Sequence, residues 1–123
     1  MLRVVQGLCV VVAAIFVAAM SAPRDAPLKG IDLAKTCRSA VAEDDALCRG
    51  FVDGFTYGAQ LAVGPEFIRQ WRYGAQTWCF PASADHAALR QTFLAYAQAN
   101  TGTLHFPAAI VLANAFAAAY ACK

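Results

Sequence analysis

The chain is 123 residues long, 59% hydrophobic and only 15% charged, against about 25% charged residues in an ordinary globular domain. Ten basic and eight acidic side chains leave a formal net charge of +2. That is too small to carry a long-range field toward a phosphate backbone, which argues against a nucleic-acid partner. The length fits one small domain and leaves no room for a separate catalytic module.

The apolar excess begins at the front. Arg3 is followed by an unbroken apolar run from Leu8 to Met20, too short to span a bilayer but of the length of a signal-peptide core. Ala19 and Ser21 then stand at −3 and −1 of a cleavage before Ala22. The sequence therefore predicts a signal peptide over 1–21, an exported periplasmic chain and no membrane segment after cleavage; an uncleaved N-terminal anchor is the rival. Residues 22–30, with Pro23, Pro27 and Gly30, read as a flexible lead-in. The domain proper is 31–123.

With the signal removed, Cys37, Cys48, Cys79 and Cys122 remain. Four cysteines in an exported chain point to two disulfides, for which sequence permits three pairings. The sequential pairs Cys37–Cys48 and Cys79–Cys122 are preferred. In the loop-entropy picture they contribute roughly 3 and roughly 4 kcal/mol. A zinc site lacks the close C-x-x-C spacing, so no metal and no cofactor is expected.

In chain order, a short helix is predicted from Ile31 to about Ser39, with Leu33 and Cys37 on one face. The acidic turn Glu43-Asp44-Asp45 suits the N-terminus of a second helix from Ala46 to about Val63, where Leu47, Phe51 and Phe55 recur every fourth residue. Gly64-Pro65 ends it. Ser83 and Asp85 cap a third helix reaching about Gln98, with Leu89, Phe93, Tyr96 and Ala97 on one stripe. Gly102 suits the left-handed position beyond its end. Pro107 opens a last helix, apolar on nearly every face, that runs almost to Cys122 and belongs in the centre of a bundle. No segment shows sustained β-branched alternation. The fold expected is all-α, a small disulfide-stapled bundle of about four helices.

Two features stand out. Gly50, Gly54 and Gly58 form a smooth strip on the second helix. Each costs about 1 kcal/mol relative to alanine, so close packing against another helix, the alanine-rich last one, is the expected gain; a homodimer contact is the second reading. The connection from Pro65 to Trp78 is long for a helical bundle and rich in Trp, Tyr and Arg, the residue types of binding hot spots. Phe67, Ile68 and Trp71 fit one amphipathic turn over the core. For Trp71 and Trp78, packing and recognition both stay open. Arg69, Trp71, Arg72, Tyr73 and Gln76 are taken as partner-binding candidates. His86 and His105 lack a local partner pattern and the acids are scattered, so no catalytic group is assigned and an enzyme is not expected.

The run Leu47-Cys48-Arg49-Gly50-Phe51-Val52-Asp53-Gly54-Phe55 resembles the C-x-G-[FY]-[IV]-x-G-[FV] core of the Rap/Tai-type immunity proteins. Trp78-Cys79-Phe80-Pro81 resembles their C-x-P element, and Gln91 to Tyr96 their Q-x-[FV]-x-x-[YF] helix. Phe106-Pro107-Ala108 and Ala115 to Cys122 resemble the Pro-Ala opening and cysteine-ending last helix. Asn100-Thr101 and Tyr120-Ala121 depart from the His-Pro and Phe-Pro that members often carry. The resemblance spans about Leu33 to Cys122. It implies a periplasmic helical protein, often a dimer, that protects its own cell from a type VI secretion peptidoglycan amidase by blocking the active-site cleft with a protruding loop. A small acid-stress-type periplasmic chaperone and an envelope structural protein are the alternatives of other classes.

Overall fold

A computed structural model describes residues 26–61, the last of them by its backbone alone, and 70–123. The signal peptide over 1–21, the start of the lead-in, the expected helix end near Val63, the turn through Phe67 and Ile68, and Arg69 lie outside the described residues. Four α-helices are present among those residues: α1 (Gly30–Arg38), α2 (Ala42–Leu61), α3 (His86–Ala99) and α4 (Ala108–Ala119). A short 3-10 turn, Thr101–Thr103, joins α3 to α4. Between α2 and α3 stands an antiparallel hairpin of β1 (Trp71–Tyr73) and β2 (Gln76–Trp78). The all-α expectation is corrected at that point: a small two-stranded sheet occupies the second half of the long aromatic connection.

Neither α1 nor α4 has a side-chain cap at its N-terminus. Their backbones cap each other instead. Gly30 and Ile31 donate their N–H groups to the Phe106 and Leu104 carbonyls, each at 2.9 Å, and Ala108 donates to the Leu28 carbonyl at 2.7 Å. This reciprocal exchange satisfies donors that a helix start otherwise leaves to water, and it brings the two helix starts together. The first residue of α1, Gly30, has no room for a side chain. A Cβ at this position would stand 2.6 Å from Val111 Cγ2 and 3.2 Å from the Leu104 carbonyl oxygen.

The acidic triplet Glu43-Asp44-Asp45 is not a turn before α2 but its first turn, where the carboxylates face the positive end of the helix dipole. At α3, Asp85 is the cap, its Oδ1 accepting from the Ala88 N–H at 2.9 Å, three residues on as an N-cap requires. Gly102 does not take the left-handed conformation expected of it. It sits inside the 3-10 turn, and Gly74 is the residue with positive φ among those described.

Trp78, Phe93, Phe116, Leu33, Leu112, Val52 and Val111 are fully buried, together with Cys37 and Cys48. α4 packs against α1, α3 and both strands, which makes it the central element. Cys37 is joined to Cys48 and Cys79 to Cys122, the sequential pairing. The first bridge ties the last turn of α1 to α2. The second ties the residue after β2 to the segment after α4.

The inward stripe of α2 is Cys48, Val52 and Ala59, with Phe51 and Phe55 half-buried, while Leu47 is exposed. Gly50 and Gly54 therefore point outward, each two residues beyond a buried position and about 200° around the helix from it. The expectation that Gly50, Gly54 and Gly58 pack against another helix is corrected. All three are exposed, and a Cβ added at any of them would meet nothing within 4 Å. The cause is the disulfide: Cys48 must face α1 to reach Cys37, and that fixes the rotation of α2.

Alanine substitutions should therefore divide by position. Gly30→Ala should lose about 1–3 kcal/mol through overpacking against Val111. Gly50→Ala or Gly54→Ala should gain up to about 1 kcal/mol from helix propensity. Thermal or denaturant unfolding of the three variants measures both signs.

Candidate functional site

The hairpin follows from its residues. Trp-Arg-Tyr and Gln-Thr-Trp are β-favouring triplets rich in aromatic side chains, separated by Gly74-Ala75. Gly74 has φ +59° and Ala75 does not have positive φ, which is the glycine-first pattern of a type II′ turn. Trp71 pairs with Trp78, Arg72 with Thr77 and Tyr73 with Gln76. Residues directly opposite share a face, so Trp71, Tyr73, Gln76 and Trp78 lie on one side, and Arg72 with Thr77 on the other.

The first of these faces is the anchor. Trp78 is fully buried, stacked on Phe55 of α2 at 5.8 Å with 12° between the rings and tilted on Phe116 of α4 at 5.8 Å. Trp71 packs on Phe80 at 4.6 Å, and Tyr73 on Phe55 at 5.4 Å. Phe80 in turn meets Phe116 and Tyr120, each at 5.1 Å edge to face, a geometry that favours aromatic pairs beyond their area. Of the two roles left open in the sequence, packing holds for Trp78 and in large part for Trp71. The shared ring cluster seats the hairpin on α2 and α4.

The candidate binding surface is the exposed part of the hairpin, the outer face with Arg72 and Thr77 together with Tyr73 and Gln76 beside the turn. Arg72 is exposed, and its Nε donates to the Gly74 carbonyl at 3.0 Å. This fixes the guanidinium over the turn while its terminal nitrogens have no partner among the described residues. Gln76 and Thr77 are exposed. Tyr73 is 42% exposed, with one edge on Phe55 and the other toward solvent. Beside the turn lies a mainly apolar cleft of about 350 Å³, lined by Phe55, Gly58, Ala59, Arg72, Tyr73 and Gly74. The structure thus brings Trp71, Arg72, Tyr73 and Gln76 onto one hairpin and divides them by role.

Two groups of side chains escape sequence reading. His86 Nδ1 donates to Asp53 Oδ1 at 3.1 Å, linking the start of α3 to α2. The imidazole is largely buried, with no hydrogen-bond partner for its Nε2 among the described residues. Arg90 donates from Nε to the Cys37 carbonyl at 2.7 Å and from a terminal nitrogen to Asp45. One half-buried guanidinium therefore satisfies the C-terminal end of α1 and pairs with the first turn of α2 beside the Cys37–Cys48 bridge. Partners 33 and 45 residues apart leave no local signal, whereas Gly74 between two aromatic triplets is a hairpin signal that was present in the sequence. Among the described residues no cluster of three or more His, Cys, Asp or Glu side chains is placed to hold a metal ion, and no helix is long and apolar enough to cross a membrane.

The stapled helices, the central apolar helix and the anchored hairpin are the setting for the comparisons with known proteins. The Rap1a immunity protein family matches residues 29–122, and the chain belongs to that family. Neither a curated protein nor a solved structure is significantly similar to it. Family membership assigns an immunity role with a secreted effector protein as the partner.

The division of the hairpin makes a measurable difference. Trp78→Ala should cost about 3–5 kcal/mol by emptying the ring cluster, whereas Arg72→Ala should fall within about 0.5 kcal/mol of the unsubstituted protein because Arg72 is an exposed surface position. Denaturant midpoints of the two variants test this.

Proposed function

We propose that this chain is a periplasmic immunity protein that binds a type VI secretion peptidoglycan amidase and occludes its active-site cleft with the hairpin. The carrying observation is the asymmetry of that hairpin: one face is locked into the core by Trp78 and Trp71, the other offers Arg72 and Thr77 to solvent, and at the turn end of the anchored face Tyr73 stays part-exposed. A projection held in this way loses little conformational entropy on docking. Arg and Tyr are residue types that carry binding energy at such contacts. The amidase as target, type VI delivery and the periplasm come from the resemblance and the signal-peptide reading of residues 1–21. In this reading the chain performs no catalysis of its own and acts only by blocking.

A second copy of the chain belongs to the same proposal. The outward strip Gly50, Gly54 and Gly58 is flanked by Leu47 and by Tyr57, which is 68% exposed. This gives a smooth helix face edged by apolar side chains, open to close approach by another helix.

Purified protein should abolish hydrolysis of peptidoglycan by an amidase encoded next to it. The substitutions Arg72→Ala and Tyr73→Ala together should weaken that inhibition at least about tenfold, the equivalent of 1.4 kcal/mol, with little change in melting temperature. Full inhibition by the double variant would remove the hairpin from the interface. No inhibition by the unsubstituted protein would remove the amidase. Sedimentation of Gly54→Leu beside the parent checks the dimer, which should dissociate if that strip is its contact.

A further inference from the structure

We propose that the two disulfides do different jobs: Cys37–Cys48 is a permanent staple of the helical core, and Cys79–Cys122 is a redox-sensitive clamp on the hairpin. The inference stands apart from the choice of effector, since it rests on exposure and connectivity alone. Cys37 and Cys48 are both 0% exposed. Beside them, Arg90 bridges the Cys37 carbonyl and Asp45. Cys122 is exposed and Cys79 half-buried. Thiol–disulfide exchange requires a thiolate to reach a sulfur atom, so an accessible bridge is the labile one. A fully enclosed bridge is attacked only after its surroundings open.

The exposed bridge is also the one attached to the candidate binding element. Cys79 directly follows Trp78, the last residue of β2, so the bond ties the root of the hairpin to the segment after α4. A dithiol reductant supplies the chemistry. Its thiolate attacks Cys122 Sγ, forming a mixed disulfide and expelling Cys79 as thiolate. Its second thiol then displaces Cys122, and the reductant leaves as its own disulfide. Two electrons pass to the protein, and with two protons it holds two free thiols.

What remains after reduction keeps the core closed. Cys79 N–H donates to the Tyr120 carbonyl at 2.8 Å, the Tyr120 ring lies on Phe80 at 5.1 Å, and the Tyr120 hydroxyl lies 2.8 Å from Thr92 Oγ1. Tyr120 thus takes over the end of α4, and the loosening is confined to the hairpin root and residues 121–123.

The test uses the full oxidised protein in native buffer with dithiothreitol, alkylation at timed intervals and mass spectrometry of the peptides. Cys79 and Cys122 should become alkylated at least about tenfold faster than Cys37 and Cys48. Amide hydrogen exchange over 71–79 should accelerate in the partly reduced protein and in the double variant Cys79→Ser with Cys122→Ser, while exchange over Leu33–Val52 stays unchanged. Simultaneous release of all four thiols would overturn the proposal, as would hairpin exchange indifferent to loss of the bridge. A double variant that fails to fold would overturn it equally, because the Tyr120 contacts would then be insufficient.

Discussion

The burial of Trp78 is the interaction on which the rest of this structure turns. Its indole is the largest side chain in the core and is supplied by a strand of three residues. Two such strands have no independent stability in water. They persist here because Trp78 is wedged between Phe55 of α2 and Phe116 of α4, with Phe80 closing the remaining edge. The hairpin is thus an appendage of the helical core, held by area and ring geometry. Its outer face is free to vary in sequence without disturbing the inner one.

A second constraint governs the helices. The Cys37–Cys48 bond and the close approach of Gly30 to Val111 fix α1 against α2 at one end and against α4 at the other. Arg90 adds α3 to this arrangement through the Cys37 carbonyl and Asp45. Once these contacts are set, the rotation of α2 is no longer free, and its glycines face outward. The glycine strip is therefore a surface property of the fold. The small residue that the core needs is Gly30.

These two constraints together suit a protein whose task is to present a fixed shape. Membership of the Rap1a immunity protein family calls for recognition of another protein, and recognition rewards a surface that is already in its bound form. The hairpin turn carries a guanidinium held by its own backbone carbonyl, beside an apolar cleft floored by α2. Charge and apolar surface lie within one turn of each other. The core beneath them is covalently closed at both ends.

Much of this architecture was legible in the sequence, for physical reasons that can be stated residue by residue. Leu33 and Cys37, or Leu89, Phe93 and Ala97, recur at the helical period and are buried because a period of 3.6 places them on one face. Asp85 caps α3 through a contact spanning three residues, and Gly74 between aromatic triplets carried the hairpin signal even though the absence of β-branched alternation pointed to an all-α chain. The outward rotation of the glycine strip, the division of labour between Trp78 and Arg72, and the pairs His86–Asp53 and Arg90–Asp45 were not legible. Each depends on which element lies opposite, and that is decided only when α1, α2 and α4 pack around one disulfide and one ring cluster. Local spacing determined which residues form helices and which could bury; the tertiary structure alone decided which faces turn inward, because burial is a property of neighbours that are distant in the chain.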